Sequence, residues 1–219
     1  DVLIHCAYDS SPNNMKNNIN GTIAISEAAK NNKQIFISSF SAHNENATDY
    51  GMVKTTLEKY FLNEGHVIIR PGLVVGSGGL FLRIYNLMKK FPILPLLDGG
   101  KGLLPILCIK DLEVSISKII KKYDNGIYNL FNDNYITLYN LLSEIRKKTK
   151  LKIIFVSIPS QIILISVIVL EKFGIRLPIS NDTIKGFVQN QRQTLKSDLK
   201  HFVEKEQDLS EMIAGVSNQ

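Results

Sequence analysis

Tyr50 and Lys54 stand four residues apart at the opening of a helical pattern, and Ser39 closes an apolar run upstream of them. Positions four apart share one face of a helix. A tyrosine keeps its proton near neutral pH. A neighbouring ammonium favours the phenolate and lowers that pKa. The three side chains therefore suit proton exchange with a substrate hydroxyl. Tyr-x-x-x-Lys is a common spacing, so its meaning depends on the elements that position it.

Those elements alternate. Apolar runs bounded by polar residues predict buried strands over 2–7, 34–39, 66–70, 103–108, 126–131 and 152–156. Helical patterns fall over 15–30, 50–64, 80–90, 111–122 and 137–148. Asp111 and Thr137 stand where residues that cap helices belong, and Leu138, Leu141, Leu142 and Ile145 mark one buried stripe. Strand and helix alternation with Ile/Val-rich strands predicts an α/β fold: a doubly wound parallel sheet with helices on both faces. Ligands bind such sheets at the carboxyl ends of the strands. Ser39, Tyr50 and Lys54 are all expected at that edge.

Composition narrows the partners. The net charge of +6 is moderate and the basic residues are scattered. Lys89-Lys90, Lys121-Lys122 and Arg146-Lys147-Lys148 read as solvated helix ends. Without aromatic interleaving they do not outline a nucleic-acid surface. The four histidines lack ligand spacing, so no metal site is expected. Cys6 and Cys108 sit inside apolar runs and read as buried thiols of a cytoplasmic protein. The greasiest stretch, 162–170, is too short to span a bilayer. It reads as a packing helix, with a membrane-surface contact as the lesser reading. From residue 197 onward the chain is polar and is expected to fray.

The order of the motifs resembles the extended short-chain dehydrogenase/reductase family, in its epimerase/dehydratase branch. The opening Asp1-Val2-Leu3-Ile4-His5-Cys6-Ala7 is similar to the family's fourth strand. Asn18-Ile19-Asn20-Gly21-Thr22 resembles the start of the following helix, and Phe36-Ile37-Ser38-Ser39 the strand ending in the catalytic serine. Tyr50-Gly51-x-x-Lys54-x-x-x-Glu58 resembles the signature helix, and Arg70-Pro71-Gly72-Leu73-Val74-Val75-Gly76 the segment covering the nicotinamide. Ile109-Lys110-Asp111-Leu112 and Gly126-Ile127-Tyr128-Asn129-Leu130 resemble later elements in the same order.

The resemblance implies a Rossmann-like fold and an NAD or NADP cofactor. It implies Ser39, Tyr50 and Lys54 as catalytic residues, with Tyr50 and Lys54 also at the cofactor. Cys6, Ala7, Pro71 and Leu73 are its further cofactor-lining candidates. The expected substrate is a small molecule, a nucleotide-linked sugar, and the expected activity epimerase, dehydratase or reductase. Residues 1–79 would be the second half of the dinucleotide-binding domain and 80–196 a small mixed substrate lobe interleaved with the last sheet elements. Residues 197–219 would be a tail, and the helix over 50–64 a face for a homodimer.

Three features depart from the family pattern. The Gly-x-x-Gly-x-x-Gly phosphate loop is absent, and the chain opens on a strand without an initiating Met. An upstream part is therefore expected to be missing, and this piece alone to be inactive. Ala42-His43-Asn44 stands where the family often has Val-Tyr-Gly. The Ser39–Tyr50 connection is short. These leave two alternatives: an NAD(P)H-dependent reductase of a non-sugar carbonyl, and a non-catalytic dinucleotide-binding scaffold.

Overall fold

The computed structural model describes residues 1–11, 13–43, 48–122, 124–159, 162 and 195–217. The predicted packing helix over 162–170 lies outside them, apart from Ile162. Among the described residues, no helix is long and apolar enough to cross a membrane.

The chain alternates as β1 (Val2–His5), α1 (Met15–Ala28), β2 (Lys33–Ile37), α2 (Asp49–Asn63) and β3 (Val67–Pro71). Then come β4 (Leu73–Val75), α3 (Gly79–Lys90), β5 (Ile93–Leu97), β6 (Leu103–Leu104), β7 (Ile106–Cys108) and α4 (Ile109–Lys122). Next follow β8 (Gly126–Leu130), β9 (Ile136–Thr137), α5 (Leu138–Thr149), β10 (Ile154–Ile158) and a helix over Leu209–Ser217. The main sheet runs β1-β2-β3-β8, all parallel. The chain is thus an α/β protein with a Rossmann-like parallel sheet.

Burial on both faces explains why these strands read as unbroken apolar runs. In β2, Phe36 faces Val53, Leu57 and Phe61 of α2. Its neighbour Ile35 faces the opposite cluster, with Leu107, Ile119 of α4, Leu130 and Leu199. Gln34 is fully buried because each end of its amide is satisfied. Its Oε1 meets His5 Nε2 at 2.8 Å, and its Nε2 donates to the carbonyls of Ser26 and Ala29. This ties β1, β2 and the end of α1 together.

A second core joins α3, α5 and the helix Leu209–Ser217 around Phe81, Met88, Leu141, Ile145, Met212 and Ile213. Three short strand pairs frame it: β4–β7 and β5–β10 parallel, β6–β9 antiparallel.

Several expectations change. The run 103–108 is broken into two strands at Pro105, which lacks the N–H a continuous ladder needs. Asp111 lies inside the first turn of α4, and Ile109 opens the helix. Thr137 does cap α5, accepting from the Asn140 amide at 3.0 Å. Cys6 is exposed because β1 ends at His5, whereas Cys108 is buried. Over the described residues 197–217 the expected fraying is not seen. Leu199, Phe202, Met212 and Ile213 are buried, and Asp198 accepts from the Asn129 amide at 2.8 Å.

Candidate active site

The carboxyl ends of β1, β2 and β3 lie side by side, because Val2 pairs with Lys33 and Ile35 with Val67 in parallel register. The chain leaves β2 through Ser38, whose amide donates to the Ile69 carbonyl of β3 at 2.7 Å. Ser39 follows, and its Oγ accepts from the Ser41 amide at 3.2 Å. The short 3-10 turn Phe40–His43 turns the chain away from the sheet. It returns at Thr48, whose side chain caps α2 by accepting from the Gly51 amide at 2.9 Å. That cap fixes the turn carrying Tyr50.

Lys54 lies one turn further on the same helix face, only 4% exposed. Its Nζ donates to the Ile37 carbonyl at 2.8 Å. It stands 4.7 Å from the centre of the Phe36 ring and 5.7 Å from the centres of the Tyr8 and Tyr50 rings. Tyr8 meets Tyr50 edge to face at 4.8 Å. A buried ammonium beside aromatic faces is partly compensated by their negative quadrupoles. Burial nevertheless lowers its pKa to about 8, against the raising influence of Cys6 and Glu58.

Tyr50 is held the other way. Burial raises its pKa, and a hydrogen bond with the Ser39 side chain opposes the rise. The net direction corrects the simple expectation of a phenol acidified by its lysine. The Lys54 ammonium is aimed at a backbone carbonyl, and desolvation of the phenolate prevails. The exposed Cys6 thiol is also raised, by burial of its surroundings against the pull of Lys54.

Ser39, Tyr50, Lys54 and Cys6 are therefore brought together at one edge, with Ala7 exposed beside Cys6. Pro71 closes β3 at the same edge of the sheet, but Leu73 packs towards the second core. Gly72 between them is there for space: a Cβ would sit 2.4 Å from the Pro105 carbonyl oxygen. Sequence reasoning missed Tyr8 and the Thr48 cap. The aromatic residue directly after the Cys6-Ala7 strand end was the available signal for Tyr8.

The donors at this edge fit a nicotinamide dinucleotide at its ribose end. Lys54 spends one N–H on Ile37, and an ammonium carries three donors. With the Tyr50 and Ser39 hydroxyls at hand, this donor set fits a ribose and a carbonyl or hydroxyl. The connection from β1 to α1, residues 6–14, contains no glycine, so it does not offer a glycine-rich pyrophosphate turn.

No protein-family model matches the chain, and no curated protein matches it. Solved structures do. One is gox2253, at TM-score 0.71 and 17% identity, covering 99% of this chain and 77% of that one. TunA, described as an NAD-dependent NDP-hexosamine 5,6-dehydratase of tunicamycin biosynthesis, matches at TM-score 0.68 and 12% identity, covering 99% and 76%. A dTDP-glucose 4,6-dehydratase from Bacillus anthracis in complex with NAD matches at TM-score 0.59 and 15% identity, covering 86% and 71%. At such identities it is the fold that is shared: this chain has the Rossmann-like fold of these solved structures.

Proposed function

We propose that the chain carries the acid–base site of an NAD- or NADP-dependent dehydratase, epimerase or reductase acting on a nucleotide-linked sugar in the cytoplasm. The observation that carries this reading is the meeting of Tyr50 with Ser39, whose side chain lowers the Tyr50 pKa against burial, with Lys54 one helical turn away on the same face and its Nζ 5.7 Å from the Tyr50 ring centre. The fold shared with nucleotide-sugar dehydratases supports the substrate class. A dinucleotide bound at this edge supplies or accepts the hydride.

The chain's own residues do the rest. The Tyr50 phenol oxygen gives a proton to, or takes one from, the substrate oxygen. Ser39 donates to the phenolate that forms and fixes its direction. Lys54 supplies positive charge near that oxygen and keeps N–H bonds for a ribose hydroxyl. Because burial makes Tyr50 a weak acid, this positive charge matters only as the phenolate develops. Pairing of two copies through α2 would use its outward Thr56, Lys59 and Leu62.

The test is turnover of a panel of nucleotide sugars by the full-length protein with NAD and NADP. Tyr50→Phe should lower kcat by about a hundredfold or more, the usual worth of a positioned acid–base group, with the circular dichroism spectrum unchanged. Undiminished turnover by that variant would refute the role of Tyr50. Net oxidation of NADPH on a non-sugar ketone, without sugar turnover, would favour the carbonyl-reductase alternative.

A further inference from the structure

A strand on a protein surface ordinarily alternates apolar residues towards the core with polar ones towards water. β5 and β10 alternate, but both of their faces are apolar. Leu94, Leu96 and Phe155 turn towards the second core. Ile93 (55% exposed), Ile154 (65%) and Val156 (41%) turn outward. The parallel register sets Ile93 beside Ile154 and Pro95 beside Val156, so these side chains form one continuous outward row. Phe91, 43% exposed, extends it just ahead of β5.

The same end of this small sheet is cationic. The chain reaches β5 from the C-terminal turn of α3, with exposed Lys89 and Lys90. It reaches β10 from α5 through exposed Lys147, Lys148, Lys150 and Lys152. The Ile154 amide donates to the Pro92 carbonyl at 2.9 Å, which brings the starts of the two strands together. Lys90 Nζ stands 5.5 Å from the Phe91 ring centre. No acidic residue occurs in 89–97 or 145–159.

We propose that the outward face of β5 and β10, with its lysine border, docks on an anionic lipid bilayer. Aliphatic side chains in an open row fit the boundary between headgroups and acyl chains, and lysines beside them reach the lipid phosphates. A polynucleotide would use the lysines but has no need of an aliphatic row, and among the described residues 89–97 and 150–158 Phe91 alone is an exposed aromatic. This surface is built from residues outside the stretch 162–170 and does not depend on the proposed reaction.

The test is co-sedimentation of the full chain with phosphatidylcholine vesicles, with and without phosphatidylglycerol. Binding is expected to the anionic vesicles and to weaken with added salt. The double variant Lys90→Glu/Lys152→Glu should lower partitioning by about tenfold or more, since each surface cation contributes appreciably to such binding. Ile154→Ser/Val156→Thr should lower it as well while keeping the lysines. Both pairs are surface changes, and thermal melting checks that they fold. Absence of binding to anionic vesicles overturns the proposal. Binding that ignores both variants does so too. Retention on a DNA column that depends on the lysines and not on Ile154 and Val156, without vesicle binding, would instead reassign the face to a polyanion.

Discussion

Arg70 grips Glu58 through both carboxylate oxygens: Nε donates to Oε1 at 2.8 Å and Nη2 to Oε2 at 2.5 Å. The pair joins β3 to α2 one turn beyond Lys54, with the Glu58 side chain 3% exposed. A bidentate fork of this kind fixes orientation as well as distance. It therefore sets how α2 lies on the sheet edge, and so where Tyr50 and Lys54 point. Removing one partner of a buried pair leaves the other charge uncompensated and costs roughly 3–5 kcal/mol. Arg70→Met should cost about that much stability in urea denaturation, well beyond an exposed ion pair such as Lys122–Asp124. A loss within about 0.5 kcal/mol, the range of surface substitutions, would show that the fork does not hold the helix.

Glu58 also raises the pKa of Lys54, so Glu58→Gln should move the Lys54 titration below about 8. Lysine-detected NMR of the side-chain amine reads this directly. An unchanged or raised midpoint would contradict the electrostatic link between the two residues.

Lys54 carries a stability cost of its own. Its folded pKa of about 8 lies below the usual 10.5, so between these values the unfolded chain binds more protons than the folded one. Stability then rises with pH across that window and the full cost applies below it. The shift corresponds to a cost on the order of 3 kcal/mol at pH 7. Lys54→Met should therefore be more stable than the parent at pH 7, with the difference shrinking as pH rises from 8 towards 10.5. Parallel urea titrations of both proteins check the trend. A difference that stays level across the window would mean that Lys54 is not desolvated as described.

His5 acts in the same sense, in a lower pH window. Its Nε2 faces Gln34 Oε1, which only accepts, so Nε2 carries a proton. Burial lowers its pKa below 6.5, against the raising effect of Gln34. A folded pKa below the unfolded value means stability is lost as pH falls from about 6.5 through the folded midpoint. His5→Leu should flatten that part of the stability profile. The remaining slope would come from His66, whose pKa is lowered by burial as well. An unchanged acid slope in His5→Leu would exclude His5 as its source.

The main sheet was legible because its strands are buried on both faces, and Ile35-Phe36 or Val67-Ile68-Ile69 can hardly sit elsewhere. The Tyr50/Lys54 face followed from helical spacing alone. What escaped depended on contacts distant in sequence. Leu199 and Phe202 look like stray apolar residues in a polar stretch, yet they fill the face of the sheet that holds Ile35 and Ile119. The direction of the Tyr50 pKa was also hidden. Spacing places a lysine nearby, but only the fold tells that its ammonium is drawn to the Ile37 carbonyl and that the phenol is buried. β5 was missed because Pro95 within it and Pro92 just ahead argue against a strand, and an edge position tolerates a proline.

Gly72 tests the packing that separates the sheet edge from the second core. A Cβ there would lie 2.4 Å from the Pro105 carbonyl oxygen and 2.8 Å from its carbon, with the Phe131 Cβ at 3.0 Å. The near atoms are backbone, so no flexible side chain can swing away. The Leu73 amide also donates to that same Pro105 carbonyl at 2.7 Å, and the Gly72 amide to the Leu130 carbonyl at 3.0 Å. Making room would lengthen these bonds and separate β4 from β7. Gly72→Ala should destabilise by about 1–3 kcal/mol, the usual cost of forcing volume into a packed interior. Amide hydrogen exchange should show the loss concentrated at Leu73 and Gly72, ahead of α1 and α2. Full stability with unchanged exchange at Leu73 would mean that Gly72 and Pro105 can move apart without loosening the β4–β7 pair.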